Sequence, residues 1–498
     1  MPAPWPASPA PWPALPAPWP ALPAPWSALP APWSGRGYGL ESANPTGATA
    51  GTVCHPRSFA VVKSAIHAWA SAAAVAVLAV AIGGGGVSAA GASEPEFGSS
   101  YTDPTHKGPK LDAQLRLRGA AGHNLAPIAS GVVAKTAGWF QRSRLGVQFD
   151  HSSLLAYVQL QSSSAFGVAQ PGADPVALGL QQGWLRARLP QLDQAWIDAG
   201  RLALEYGSGR QIGRYEFDQI GHAFDGVRSH FAYEKRLALD GLAVKLRRAA
   251  GQPDHERNLA GLYLTGRPSD AFAADLYFLY LSDGAEAENA RLLTMGARLD
   301  LTPTPWLAAD LEAAVQIGDV TVATAHDPQD HLAWMAAGQL AVSGKLWVDT
   351  GLAVVAQVFS GDDDPKDRTR RAWKALYPSR DRLLGLLAAL EPSNLQQVGG
   401  NVFATAPSWG GTFRGELDVR LNRALAAGPL PAFGGGALEG SDGWHSLGAQ
   451  ADLRLRWTAQ SGPELMAAMA VFWPSDALRR DRNTQTATLA LLQWTAGF

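Results

Sequence analysis

Cysteine is almost missing from this chain: Cys54 stands alone among 498 residues. A disulfide framework and any zinc site built from cysteines are thereby excluded. Charge is also sparse, at 17% Asp, Glu, Lys and Arg, against the ~25% usual in soluble domains. The formal net charge is -2, so no overall field draws in nucleic acid, and no such partner is expected. The phosphate-cradling spacings G-x-x-x-x-G-K-[ST] and G-x-G-x-x-G do not occur, nor does the G-x-S-x-G elbow of hydrolases. His326 and His331 share a loop stretch without a third ligand nearby, so neither metal nor cofactor is expected. What the chain does have is glycine (53) and tryptophan (18), and tryptophan favours membrane interfaces.

The first hundred residues are set apart. Trp5, Trp12, Trp19, Trp26 and Trp33 recur within Pro-Ala-Pro-Trp repeats. Proline cannot occupy helix interiors, so the repeat is no coiled coil. Residues 1–56 are expected to be a low-complexity tail, and one reading places them upstream of the true start. Arg57 and Lys63 then precede the apolar run Ala68–Ile82, which Gly83–Gly86 breaks before Ala90-Gly91-Ala92. Basic, apolar and small-residue regions in that order make 57–92 a secretory signal. A membrane anchor is the other reading, but the run falls short of the ~20 apolar residues a spanning helix needs. A short periplasmic segment, 93–110, would lead into a domain spanning 111–498.

That domain alternates. Leu111, Ala113, Leu115 and Leu117 interleave with Asp112, Gln114, Arg116 and Arg118. Phe413, Leu417, Val419 and Leu421 interleave with Arg414, Glu416, Asp418 and Arg420. Successive side chains of a strand point to opposite faces, so each segment has an apolar and a charged face. A soluble sandwich also alternates. Here, however, the segments are about ten residues long, enough to cross a bilayer at a tilt, and their polar faces carry full charges that a water-filled lumen tolerates. Eighteen such segments fit, from 111–119 and 143–151 to 484–498. Connections after even-numbered strands are tight, as at Ser152, Glu234–Lys235 and Ser343–Gly344. Those after odd-numbered strands are mostly long, as at 120–142, 204–222 and 359–395. The expectation is an all-β transmembrane antiparallel barrel of about eighteen strands, with short periplasmic turns and long extracellular loops. Its place would be the bacterial outer membrane, with outer-membrane lipid as a partner. The terminal strand, with Leu492, Trp494 and Phe498 on one face, resembles the signal read by the barrel assembly machinery.

Two blocks carry a resemblance to a known family. The first is Gly200-Arg201, Glu205-Tyr206-Gly207, Arg210, Ile212-Gly213 and Phe224-Asp225-Gly226-Val227-Arg228. The second is Phe359-Ser360-Gly361-Asp362-Asp363-Asp364-Pro365, Leu376-Tyr377-Pro378-Ser379 and Pro392-Ser393-Asn394-Leu395. Together they resemble the alginate export family of outer-membrane porins. The resemblance implies an eighteen-stranded barrel with an arginine-rich constriction that passes an anionic polysaccharide, and periplasmic secretion components as partners. Arginine suits that task through its fixed charge and bidentate fit to carboxylates. On the family blocks the constriction candidates are Arg201, Tyr206, Arg210, Asp225 and Arg228, with Arg214 in the same loop. Strand positions expected to face the lumen add Arg116, Arg118, Arg186, Arg188, Arg414, Arg454 and Arg456. Lumen carboxylates such as Asp240, Asp275, Asp310 and Glu312 offer the alternative of a wall ladder that only stabilises the barrel. A dedicated exporter of the family is expected to carry a long periplasmic plug. Every periplasmic turn here is short, which favours a simple channel for smaller anionic or sugar-like solutes. Asp362 and Asp364 have the oxygen donors calcium prefers, but a solvated acidic loop beside Lys366, Arg368, Arg370 and Arg371 is the expected reading. A barrel-embedded hydrolase and a soluble polysaccharide-binding β-protein are the alternatives from other classes.

Overall fold

The computed structural model describes residues 109–125, 135–166, 178–189, 192, 194–234, 236–246, 257–284, 288–322, 328–364, 367–428, 430, 446–482 and 485–497. The expected tail and signal, and Phe498, lie outside the described residues.

The strands are β1 (Lys110–His123), β2 (Lys135–His151), β3 (Leu154–Phe166), β4 (Gly179–Arg188), β5 (Ala195–Leu202), β6 (Phe224–Tyr233), β7 (Leu237–Leu246), β8 (Arg257–Ser269), β9 (Phe272–Gly284), β10 (Glu288–Thr304), β11 (Leu307–Val322), β12 (Gln329–Lys345), β13 (Asp349–Phe359), β14 (Thr369–Arg370), β15 (Leu395–Ser408), β16 (Gly411–Arg423), β17 (Ser446–Ala459), β18 (Glu464–Pro474) and β19 (Ala487–Gly497). The two-residue β14 runs parallel to β12 within a loop. The remaining eighteen form one antiparallel sheet in chain order. β1 pairs with β19 from Gln114↔Gly497 to His123↔Thr488. That last ladder closes the sheet into a barrel, so no strand edge is left in lipid.

The burial pattern is inverted relative to a soluble protein. Phe278, Leu332 and Leu421 are exposed by 52%, 53% and 60%, whereas Arg118, Gln159 and Asp452 are exposed by 0%, 0% and 1%. Apolar residues point outward at alternate positions and charged ones inward, as a lipid-facing wall around a polar lumen requires.

The wall is uneven. β4 to β7 have 10, 8, 10 and 10 residues, but β10 to β12 have 17, 16 and 17. At ~3.3 Å per residue and a tilt near 40°, β5 rises about 20 Å and β10 about 40 Å.

One expected boundary moves substantially. β2 starts at Lys135 rather than near 143, because β1 and β2 stay in register through Gly119↔Trp139 and His123↔Lys135. Small residues, Gly119 to Gly122, hide the alternation there. A Cβ on Gly119 would lie 3.0 Å from the Trp139 ring, so glycine is what lets that indole lie across β1.

The lipid-facing assignment sets a stability expectation. Phe278 is at the midpoint of β9. Phe278→Arg should lower folding free energy in liposomes by about 2–4 kcal/mol, and Leu111→Arg at the strand end by about 0–1 kcal/mol. Urea refolding titrations of both variants measure this, and equal losses would contradict the outward assignment of Phe278 at mid-depth.

Candidate functional site: the constriction

The connection between β5 and β6, residues 203–223, does not stay outside the barrel. Its ends, Leu202 and Phe224, point inward and are buried, as are Leu204, Ile212 and Phe217 within it. Burying these apolar side chains against the inner wall draws the loop into the lumen. Gly207 and Gly209 have φ of 55° and 75°, a backbone region glycine enters without strain. The turn they make is closed by Tyr206 N–H to Ile212 O at 3.0 Å and Gly209 N–H to Tyr206 O at 2.9 Å.

A second inward loop, residues 360–394, meets the first. Gly213 N–H donates to Tyr377 O and Tyr377 N–H to Gln211 O, each at 2.8 Å, and Ser379 N–H donates to Gly209 O at 2.9 Å. A Cβ on Gly213 would be 2.3 Å from Ser379 Oγ, so glycine permits the crossing. The second loop is fixed to the wall by Gln357 Nε2 to Leu383 O at 2.6 Å, Arg420 Nη1 to Leu383 O at 2.7 Å and Leu386 N–H to Asp452 Oδ2 at 2.7 Å.

Charge strings the first loop across the lumen. On β1 and β2, four inward arginines hold its main chain. Arg116 donates to Glu216 O (2.9 Å) and Asp218 O (2.8 Å), and Arg142 donates to Glu216 O (2.8 Å). Arg118 donates to Phe217 O (3.2 Å), with its guanidinium 4.4 Å from the Phe217 ring centre. Arg144 binds the Glu216 carboxylate at 2.6 Å, and Arg142 reaches it at 3.2 Å. Burial alone would raise the Glu216 pKa, but Arg144 and Arg142 outweigh it and hold the group down at about 2. Hydrogen bonds from charged donors are worth about 1.5–3 kcal/mol each, so this cluster fixes the loop firmly.

The other end of the loop is held by acids. Arg210 Nη1 meets Asp310 at 2.5 Å and Glu312 at 3.0 Å on β11. Ser208 Oγ–H and Gln211 Nε2 also donate to Glu312, at 2.9 and 3.1 Å. Arg298 on β10 ties Asp310 (2.5 Å) to Asp275 (3.1 Å) and Asp300 (2.9 Å). A basic wall at β1–β2 and an acidic wall at β9–β11 therefore face each other, with the loop between them.

Several expected constriction residues fall elsewhere. Arg201 and Asp225 lie on the outer face of the barrel. They share strand parity with Ile197 and Val227, which are exposed outward, and oppose each other across β5–β6. Arg201 is bidentate to Asp225 at 2.5 and 2.7 Å and donates to Leu180 O at 3.1 Å, stapling three strands together. Neither residue belongs to the constriction. Arg210, Arg116 and Arg118 lie against the inward loop, and their guanidinium groups donate to carboxylates and loop carbonyls. Tyr206 packs on Tyr263 with ring centres 4.6 Å apart, and Arg214 lies close enough to Glu216 to help keep it ionised.

Arg186 and Arg228 share Asp198 in the lumen at 2.6 and 2.5 Å, and Arg188 pairs with Asp150 at 2.8 Å. Arg414, Arg454 and Arg456 stand together on β16 and β17. Asp362 faces Arg370 and Arg371 at 3.9 Å, and among the described residues no group of three His, Cys, Asp or Glu is placed to hold a metal. Arg142, Arg144 and Glu216 went unnoticed in the sequence. Arg142 and Arg144 are two apart and share a face with Gln148, but the expected loop 120–142 cut Arg142 off from the strand that carries the other two.

This fold and lumen define a class: an outer-membrane channel, a closed eighteen-stranded barrel narrowed by its own extracellular loops. Solved barrels share the architecture. The outer membrane protein OpdK from Pseudomonas aeruginosa superposes with a TM-score of 0.53 at 15% identity, covering 78% of this chain and 99% of that one. OccAB3 from Acinetobacter baumannii gives 0.53 at 9%, covering 78% and 99%. OprD from Pseudomonas aeruginosa gives 0.51 at 11%, covering 78% and 94%. The alginate export family model matches residues 144–490, and the chain belongs to that family. A search among curated proteins finds no relative.

The Glu216 anchor has a pH signature. Its folded pKa is depressed, so its contribution is complete above pH ~4.5, the ordinary carboxylate range, and is lost as pH falls toward about 2. Single-channel current noise from loop motion should stay low down to about pH 3 and rise below it, while Glu216→Gln should be noisy already at pH 7. A quiet Glu216→Gln channel at neutral pH would show that this carboxylate does not hold the loop.

Proposed function

We propose that this outer-membrane channel passes small anionic solutes, such as carboxylates or short uronates, by diffusion along an arginine stripe beside the inward loops. The carrying observation is the Arg414–Arg456 pair. These two residues are directly opposite in the β16–β17 register, with Arg454 one inward position away. Like charges in direct cross-strand register are destabilising. Their acids are loosely placed: Glu416 is 3.9 Å from Arg414 and 3.5 Å from Arg454, and Glu464 is 3.3 Å from Arg456. The lumen arginines Arg186, Arg210, Arg228 and Arg298 have carboxylates at 2.5–2.6 Å. The stripe is thus less tightly neutralised than those four arginines, and unlike Arg116, Arg118 and Arg142 its guanidinium groups make no hydrogen bond to a loop carbonyl among the described residues. A ring or row of such charges attracts counter-ions.

Solute size is argued from the loops. Two loops locked to each other and to opposite walls favour a small solute over a threading polymer, and the turns at the opposite end are short, as at Trp409–Gly410 between β15 and β16. Arg210 is read as a structural strut rather than a selectivity filter.

Reversal potentials in planar bilayers test the stripe. Arg414→Gln with Arg456→Gln should lower the anion-to-cation permeability ratio several-fold with little change in noise. Arg210→Ala should do the opposite: more noise and conductance, little change in the ratio. An unchanged ratio in the Arg414/Arg456 double variant would remove the basis for anion selectivity here.

A further inference from the structure

The second inward loop contains a carboxyl group that neither the wall nor the stripe accounts for. Asp381 lies in the short helix Arg380–Leu384, between the buried turn at Ser379 and the buried side chains of Leu383 and Leu384. The residue is 1% exposed. Neither of its carboxylate oxygens accepts a hydrogen bond from another described residue; the only hydrogen-bond donor favouring its ionised form is its own backbone N–H. The main chain around it is held: Leu383 O accepts from Gln357 and Arg420, and Leu386 N–H donates to Asp452. An ionised carboxylate without a hydrogen-bonding partner is expensive inside a packed loop, and the group takes a proton instead.

The charged groups around it come from each element packed against the helix. Arg382 is on the helix itself and pairs with Glu205 of the first loop. Arg454 and Asp452 come from β17. Arg420 comes from β16, already bidentate to Asp418 at 2.6 and 3.3 Å. Arg382 and Arg420 are paired with other acids, Arg454 reaches Glu416 and Asp452 only at 3.5 and 3.9 Å, and none of the three donates to Asp381. Burial dominates, and the carboxyl is held well above its ordinary range despite Arg382 and Arg454.

We propose that Asp381 is a proton-operated latch: protonated, it lets residues 372–394 stay seated in the lumen, and its ionisation drives that segment out and opens the channel. The step is a proton release to water with no other co-reactant. Lifting the segment exposes the carboxyl to solvent, where it ionises in the ordinary carboxylate range. The seated state binds the proton more tightly, so seating is favoured at low pH. The open-to-seated ratio rises tenfold per pH unit, starting near pH 4 and levelling off once the seated carboxyl itself titrates. Above that point the ratio is constant. This window lies above the one in which the Glu216 anchor fails, and it does not depend on which ion the channel prefers.

Single-channel open probability, recorded from pH 4 to pH 9 at fixed salt, tests the latch in the full-length protein. The wild type should open progressively with rising pH, at up to tenfold per unit. Asp381→Asn, a neutral isostere of the seated form, should fold normally by heat-dependent gel mobility and stay closed with a flat pH profile. Asp452→Asn should keep the slope. A wild-type profile that is flat, an Asp381→Asn channel that still opens with pH, or a slope abolished by Asp452→Asn instead would each overturn the proposal. Should Asp381→Asn not fold, Asp381→Glu reads the same point, since a longer carboxyl that reaches Arg454 should shift the opening curve. An unmoved curve would count against the latch.

Discussion

Hydrocarbon offers no partner to a backbone N–H or C=O, and everything else in this barrel follows from that constraint. Eighteen antiparallel ladders satisfy the main chain of the wall, and the β1–β19 ladder leaves no edge over. Once the wall is closed, its outer face has to be apolar and its inner face is free to carry charge. The lumen is therefore where polar residues are buried, and loop segments that enter it meet arginines and carboxylates rather than a greasy core. The same requirement reappears inside. The loop at 203–223 has no sheet to pair with at its tip, so its carbonyls at Glu216, Phe217 and Asp218 need donors, and the guanidinium groups of Arg116, Arg118 and Arg142 supply them.

That arrangement separates two uses of the same side chain. Arginine with a carboxylate at 2.5 Å, or with two carbonyls in its fork, is a structural fastener. Arginine opposite another arginine, with acids at 3.3–3.9 Å, keeps much of its field in the lumen. Arg210 belongs to the first kind, and Arg414 and Arg456 to the second. Neither counting arginines nor register alone tells them apart, since Arg116 also lies opposite Arg142; the distinction lies in what each guanidinium reaches.

Most of the wall was legible in the sequence for a simple reason: a strand facing lipid on one side and water on the other has to alternate. Eighteen segments and their turns follow from period two alone. The alternation fails where small residues fill both faces, as at Gly119–Gly122, and there the start of β2 was misplaced. The outward position of Arg201 was also readable, since Ile197, Ala199 and Arg201 share one face, but the family motif argued for the lumen and parity was the better guide. The loop contacts were not readable at all. Arg116 and Glu216 are a hundred residues apart, and no local pattern announces that a guanidinium on the first strand will hold a carbonyl near the sixth. Asp381 was similarly hidden, one acid in an apparently amphipathic segment whose burial depends on two loops folding into the same space.

The uneven wall gives the barrel a thin side and a thick side in the bilayer. Lipid against β4–β7 has to compress or the protein has to lean, whereas lipid against β10–β12 keeps its full depth. Such mismatch costs fractions of a kcal/mol per Å, spread over every annular lipid on the short side. The surrounding membrane thus carries an angular thickness gradient centred on the channel, which sets the lean of the barrel axis. It also gives two nearby barrels a lipid-mediated reason to turn their thin sides toward one another, because a shared compressed patch is smaller than two separate ones.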